Sequence, residues 1–359
     1  MSTSAAARRV LVAAVIPEGG GSKLGAVPSL VQKYLMGGNG SSGDLPVQVV
    51  FGERFEGPIS RAAATRPDDD VALIWIPPAS TDAMKNVFDG FGGPSGRVKW
   101  CHSLAAGVDG LRKFIESSLT DPGNIPLTNG RGAFSSSLGE WAMACCLHFN
   151  KQIPRVQSNT RSKTWEKFTM PVLAGKTIGI VGFGDIGRAV ARVAKPFGMR
   201  VLAMRRSNKP DPLADETYAQ GTQDAQNAFL AKCDFVVSAL PGTTETIDFF
   251  SHAAFGAMKP SAYFISIGRG LVVDEDALVE ALKTKKIAGA ALDVFKQEPL
   301  PETSPLWDCE SCSNVLITAH NADYTEDYLD LGWRVWEENL FAFRAQTPLA
   351  TPVDIKLGY

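Results

Sequence analysis

Two groups of residues in this chain have types and spacing suited to chemistry. The first is Gly182, Gly184 and Gly187, spaced G-x-G-x-x-G between the apolar run Ile178–Val181 and a helical pattern from Ile186 to Phe197. Glycine is needed where a strand bends sharply into a helix, where a pyrophosphate nears the main chain, and where helix packs on strand. The helix start then offers unpaired N–H groups to phosphates. The expected ligand is a dinucleotide. The second group is Arg269, Glu298 and His320, which follow the apolar runs Tyr263–Ile267, Ala290–Val294 and Val315–Thr318. Residues just past the carboxyl ends of strands in one doubly wound sheet can converge on its ligand crevice. A guanidinium there binds an anion, an imidazole moves a proton near neutral pH, and a nearby carboxylate keeps the imidazole charged.

The other three histidines are weaker candidates for proton transfer. His148 lies on an apolar helical face and reads as structural. His102 ends a strand of the first domain, and His252 opens a helical stretch that it could cap. A further signal stands at the end of the strand after the glycines. NAD-binding sheets carry Asp or Glu there for the ribose 2′-OH. This chain has Arg205, Arg206 and Ser207 instead. Two guanidiniums and a hydroxyl suit a 2′-phosphate, so NADP is expected in preference to NAD, with NAD possible.

These groups need sheets to position them. In the first third, strands are expected at Val10–Ile16, Val47–Phe51, Val71–Ile76, Val98–His102 and Ile125–Thr128. Helical patterns lie between them at Ser29–Met36, Thr81–Phe88 and Gly110–Ser118. Continuous apolar strands alternating with helices predict a parallel sheet covered on both faces. An apolar helix over Ser135–Lys151 is expected to be buried between domains or at a dimer interface. After the glycines, strands are expected at Arg200–Met204, Phe235–Leu240, Tyr263–Ile267, Ala290–Val294 and Val315–Thr318, with helices at Gln223–Lys232 and Glu275–Lys283. A last helix, Tyr328–Phe343, comes after the second sheet is complete and is expected to return to the first domain.

Composition narrows the partners. Hydrophobic residues make up 45% and charged residues 21% of the 359, ordinary for a folded, water-exposed chain of about two domains. A formal net charge of −2 gives no electrostatic reason to expect nucleic acid. No apolar run approaches the ~20 residues of a membrane span. The basic and apolar start of the chain reads as a first strand rather than a targeting peptide, and Lys356–Tyr359 is neither a peroxisomal nor a retention signal. A cytoplasmic location is expected. Cys309-x-x-Cys312 has redox or metal spacing but no second ligand pair, so both are expected to be loop cysteines, with a reversible regulatory disulfide as the alternative. Gly19–Lys23 lacks phosphate-loop spacing and reads as a flexible loop.

Several segments together resemble a known family. They are Ser103–Asp109 (SLAAGVD), GFGDIG, Leu240–Thr246 (LPGTTET), and Met258–Lys283 with its I-G-R-G core. Ala291–Pro301 (ALDVFKQEPLP), Ser304–Trp307 (SPLW), the His320 loop and the closing Val353–Tyr359 complete the set. The chain resembles the D-isomer-specific 2-hydroxyacid dehydrogenases, in their glyoxylate/hydroxypyruvate reductase-like branch. The resemblance implies an α/β fold of two doubly wound parallel-sheet domains. A Rossmann coenzyme domain, 129–321, would be inserted into a flavodoxin-like substrate domain, 1–128 and 322–359. It implies that Arg269 binds the substrate carboxylate and carbonyl, that His320 is the acid–base residue, and that Glu298 is its partner. Ala106 and Gly107 would hold the substrate carboxylate through backbone N–H groups. Asp293 would orient the nicotinamide amide, and Asp185, Ile186, Leu240, Pro241, Thr246 and Ile267 would line the cofactor. The expected activity is reduction of a small 2-keto acid (glyoxylate, hydroxypyruvate or a bulkier relative) by a homodimer that needs no metal. The family also contains corepressors, so a non-catalytic, cofactor-sensing binding protein is the alternative. One position departs from the family pattern: Ala319 stands where a proline usually precedes the histidine.

Overall fold

Apolar runs in this chain become strands buried on both faces, because helices cover each sheet from two sides. The computed structural model describes residues 8–18, 31, 32, 34, 47–120, 125–308 and 314–359. The loop Gly19–Lys23 and the pair Cys309 and Cys312 lie outside the described residues. Of the helix expected over Ser29–Met36, residues 31, 32 and 34 are described, and all three are helical. The chain divides into two units, Met1–Phe134 with Asp327–Tyr359, and Ser135–Glu326. Both divisions fall a few residues beyond the expected ones. Asn129 N–H donates to Thr351 O and Gly130 N–H to Ala105 O, which keeps that turn in the first unit. Ala322 is tied into the second unit by Ser137 Oγ, which donates to its carbonyl.

The first unit holds a parallel sheet of β1 (Val10–Val15), β2 (Val47–Gly52), β3 (Asp70–Trp75), β4 (Val98–Ser103) and β5 (Leu127–Asn129), in the order β2-β1-β3-β4-β5. This is the flavodoxin-like order. Alternation along β1 explains the two cores: Leu11, Ala13 and Val15 face one layer, and Val10, Val12 and Ala14 the other. On the first face, Ile59 from helix Gly57–Thr65 and Met84, Val87 and Phe88 from helix Thr81–Gly90 cover the sheet. On the second, the closing helix Tyr328–Ala345 contributes Trp333, Trp336, Leu340 and Phe343. The two tryptophans meet edge to face at 4.9 Å, so truncating Trp336 to Ala would cost roughly 3–5 kcal/mol. The late helix thus belongs to the first unit. The pattern expected over Gly110–Ser118 is a composite of short 3-10, α and π turns from Asp109 to Leu119.

The second unit holds β6 (Thr177–Val181), β7 (Arg200–Arg205), β8 (Glu216–Ala219), β9 (Phe235–Ser238), β10 (Tyr263–Ser266), β11 (Gly289–Leu292) and β12 (Val315–Ile317). All are parallel, in the order β12-β11-β10-β9-β6-β7-β8. Strand order reverses at β6, so the crevice beside the end of β6 is where a doubly wound sheet binds its ligand. Helix Ser135–Asn150 packs on helix Asp185–Ala194, so closely that a Cβ on Gly139 would lie 3.2 Å from the Ala189 carbonyl carbon. Of its apolar residues, Ala144 is exposed and Trp141 half-buried, while Leu138, Ala142, Cys145 and Phe149 are buried. Cys101, Cys145, Cys146 and Cys233 are free and buried.

Candidate active site

The glycine turn has three distinct local reasons for its three glycines. Gly182 has φ +93°, and a Cβ there would lie 2.6 Å from Ala239 O. A Cβ on Gly187 would lie 2.3 Å from Gly182 O, so that glycine lets the helix sit on the turn. A Cβ on Gly184 would meet nothing within 4 Å. Gly184 is the N-cap of helix Asp185–Ala194, and its missing side chain leaves open the space that unpaired helix N–H groups face. Turn, packing and open approach together fit a dinucleotide pyrophosphate. Asp185 and Ile186 begin that helix. Leu240 and Ile267 are buried just past the ends of β9 and β10. Thr246 closes the loop after β9, accepting from Thr243 N–H at 2.9 Å and donating to Pro241 O at 2.6 Å. At the end of β7, Arg205 is half-buried and Arg206 and Ser207 are exposed. Arg206 lies 3.5 Å from Glu245, an exposed pair.

His320 and Glu298 meet as a pair within the second unit. His320 Nδ1 is 2.8 Å from Glu298 Oε2, and Phe295 N–H donates to Glu298 Oε1 at 2.9 Å. Gly270, next to Arg269, makes room for this loop: a Cβ there would lie 1.9 Å from the Phe295 carbonyl carbon. Hydrogen bonding to Glu298 raises the His320 pKa above its ordinary value, against burial and the positive Arg269. Burial pushes the Glu298 carboxyl up, but the bonds from His320 and Phe295 N–H and the charges of His320 and Arg269 hold it below the usual carboxylate range. Arg269 acts electrostatically on both groups, and its Nη1 donates to Gly268 O at 2.9 Å.

The histidine loop is held from below by Asp293. This side chain is 1% exposed, and its Oδ1 accepts from Thr318 Oγ1 at 2.6 Å and Asn321 N–H at 2.9 Å, with Ala322 N–H also donating. His320 N–H donates to Asp293 O at 2.9 Å. These bonds support a left-handed backbone at His320, φ +54°, which costs a non-glycine residue about 1–2 kcal/mol. Ala319, in place of proline, keeps an N–H that donates to Asn321 Oδ1 at 2.9 Å. Asp293 is thus a clamp on the His320 loop, a role the sequence reading did not assign.

The remaining candidates lie elsewhere. Ala106 and Gly107 follow β4 in the first unit, half-buried, with Asn129 Nδ2 donating to Ala106 O at 2.6 Å. His252 is the first residue of helix His252–Ala257 rather than its cap, which is Ser251, and it lies 3.4 Å from Glu280. His148 is half-buried against Phe149, and burial lowers its pKa.

Residues 143–322 match the family model for the D-isomer specific 2-hydroxyacid dehydrogenase NAD binding domain. The chain belongs to the D-isomer specific 2-hydroxyacid dehydrogenase family. The glyoxylate/hydroxypyruvate reductase A of Serratia proteamaculans is 30% identical over 312 residues, 84% of this chain and 93% of that protein. The glyoxylate reductase of Thermococcus gammatolerans is 36% identical over 229 residues, 61% of this chain and 66% of that protein. A D-isomer specific 2-hydroxyacid dehydrogenase from Xanthobacter autotrophicus Py2, solved in complex with NADPH and MES, is 26% identical with a TM-score of 0.75, covering 99% of this chain and 100% of that one. Among the described residues of this dehydrogenase, no helix is long and apolar enough to cross a membrane. One further acidic residue beside the pair escaped the sequence reading. Burial raises the Asp323 carboxyl pKa, and Asp323 acts electrostatically on His320. Its only sequence signal is its place three residues past the histidine.

Proposed function

We propose that this dehydrogenase is an NADP-preferring reductase of small 2-keto acids such as glyoxylate, hydroxypyruvate or a bulkier relative. The observation that carries the reading is the His320–Glu298 pair, 2.8 Å apart, with Arg269 acting on both. When bound, the reduced nicotinamide supplies the hydride to the keto carbon. Arg269 binds the carboxylate and carbonyl of the substrate and stabilises charge developing on the carbonyl oxygen. Glu298 occupies Nδ1 of His320, so the proton passed to the carbonyl oxygen leaves from Nε2. In the reverse direction, neutral His320 takes the hydroxyl proton at the same nitrogen.

The cofactor preference is supported by Arg205, Arg206 and Ser207, which stand at the end of β7 where the chain itself carries no acid. The structural relative from Xanthobacter holds NADPH. The homodimer is supported by an exposed arm: helix Ile153–Arg161 buries none of its residues, and Trp165, Met170 and Val172 after it are exposed, Trp165 to 96%. Four free, buried cysteines accord with a cytoplasmic location.

The test is NADPH and NADH oxidation followed by absorbance with glyoxylate, hydroxypyruvate and phenylpyruvate. Turnover with at least one, faster with NADPH, is expected. No turnover with any keto acid, alongside tight cofactor binding, would overturn the reading in favour of a cofactor-sensing binding protein.

A further inference from the structure

A carboxylate is hidden inside the basic end of β7. Asp211 lies in the loop between β7 and β8, and its side chain is 2% exposed. Its Oδ2 lies 2.9 Å from Arg188 Nη1 and 3.7 Å from Arg205 Nη1. Its Oδ1 accepts from Leu213 N–H at 3.1 Å. Arg188 directly follows Gly187 on the helix that starts at the glycine turn. One carboxylate therefore ties the end of β7, the first turn of that helix and the intervening loop together. A buried carboxylate is tolerated only where it is paired and hydrogen-bonded, and here two guanidiniums and an N–H meet it. An acid in this part of an NAD-binding sheet accepts the ribose 2′-OH. Asp211 is closed off from that task, because its oxygens are taken by protein donors and it is shielded from water. Two guanidiniums on one carboxylate leave a surplus positive charge, and Arg205 keeps 31% of its side chain exposed.

We propose that Asp211 is a positioning residue that sets cofactor choice: it holds the Arg205 guanidinium at the end of β7, where the 2′-phosphate of NADP is read. The proposal rests on the NADP reading above. It opposes the simplest electrostatic expectation. A negative charge near a phosphate should weaken binding, and its removal should then tighten NADPH. If Asp211 acts by holding Arg205, its removal instead lets the guanidinium wander and weakens NADPH alone.

The test is calorimetric titration of the purified protein with NADPH and with NADH, for wild type, Asp211→Asn, Asp211→Ala, Arg205→Ala and the double variant Asp211→Ala/Arg205→Ala. Asp211→Ala should weaken NADPH about tenfold, the size of one charge-assisted hydrogen bond, and leave NADH within about twofold. Asp211→Asn, which preserves the Leu213 bond, should lie between wild type and Asp211→Ala. The double variant should bind NADPH no more weakly than Arg205→Ala alone. If Asp211→Ala fails to fold, Asp211→Asn decides. An unchanged or tightened NADPH affinity in the Asp211 variants, with Arg205→Ala weakened, overturns the positioning role alone. Wild-type NADPH affinity in Arg205→Ala overturns the reading of Arg205 as the 2′-phosphate residue, and this proposal with it.

Discussion

His102 and His320 stand at comparable places in the two sheets, and their surroundings give them opposite chemistry. His102 is the penultimate residue of β4, and His320 comes three residues after β12. His102 is fully buried, its Nδ1 2.7 Å from Thr128 Oγ1, with the Trp100 indole N–H donating to the same hydroxyl at 2.8 Å. Among the described residues no carboxylate offsets the desolvation, and burial pushes its pKa down to about 3. His320 keeps 39% of its side chain exposed and has Glu298 at 2.8 Å, so its pKa rises. A strand end only places an imidazole near a crevice. A paired carboxylate and residual water are what favour its charged form.

The largest effect that separates the two histidines is on turnover. His320→Ala should lose about 10²–10⁴-fold in keto-acid reduction while cofactor affinity holds. His102→Gln should stay within about twofold of wild type in turnover. Equal losses in two variants that both keep native circular dichroism would break the contrast.

A smaller effect sharpens the role of the carboxylate. Glu298→Gln removes the main cause of the raised His320 pKa. Reduction needs the imidazolium, so wild-type activity is lost as pH rises through the raised His320 pKa. In Glu298→Gln that loss should move to lower pH, visible in a kcat-against-pH profile. An unmoved profile would show that Glu298 does not control the proton.

The smallest effect concerns stability. Folded His102 stays neutral down to about pH 3, whereas an unfolded histidine takes a proton near pH ~6.5. The unfolded chain therefore binds more protons across that window, and stability drains as pH falls through it. His102→Gln removes this one contribution. It should cost about 1–3 kcal/mol at neutral pH through lost packing and bonding at Thr128, yet show a shallower fall of Tm between about pH 7 and pH 4. Parallel Tm-against-pH curves for wild type and variant would refute the account of His102.

Strand positions were legible because parallel strands buried on both faces are continuous apolar runs, and each expected strand lies within two residues of an observed one. β8 was not legible. Glu216–Ala219 is a half-buried edge strand whose polar residues give no apolar run. Helix Gly57–Thr65 was also missed, since its Gly57-Pro58 start looks like a loop and few of its residues are buried. Arg269, Glu298 and His320 were legible as strand-end residues of the right chemical types. Asp211 and Asp323 were not, because each is a loop carboxylate with no motif around it, and Asp293 was legible only as an expected cofactor residue, not as the anchor of the His320 loop. Asp211 pairs with Arg188 across 23 residues, and Asp293 bonds Thr318 across 25.

The sequence by itself determined two parallel α/β sheets, a glycine turn of dinucleotide-binding type, the basic end of the next strand and three strand-end residues of types suited to anion binding and proton transfer. Those features depend on local rules: apolar runs, glycine where the backbone crowds, and residue type just past a strand. Only the tertiary structure decided which histidine has its pKa raised and which lowered, what holds the His320 loop, and which carboxylate faces Arg205. Such effects depend on distances between residues far apart in the chain and on how much water reaches them, and one-dimensional spacing encodes neither.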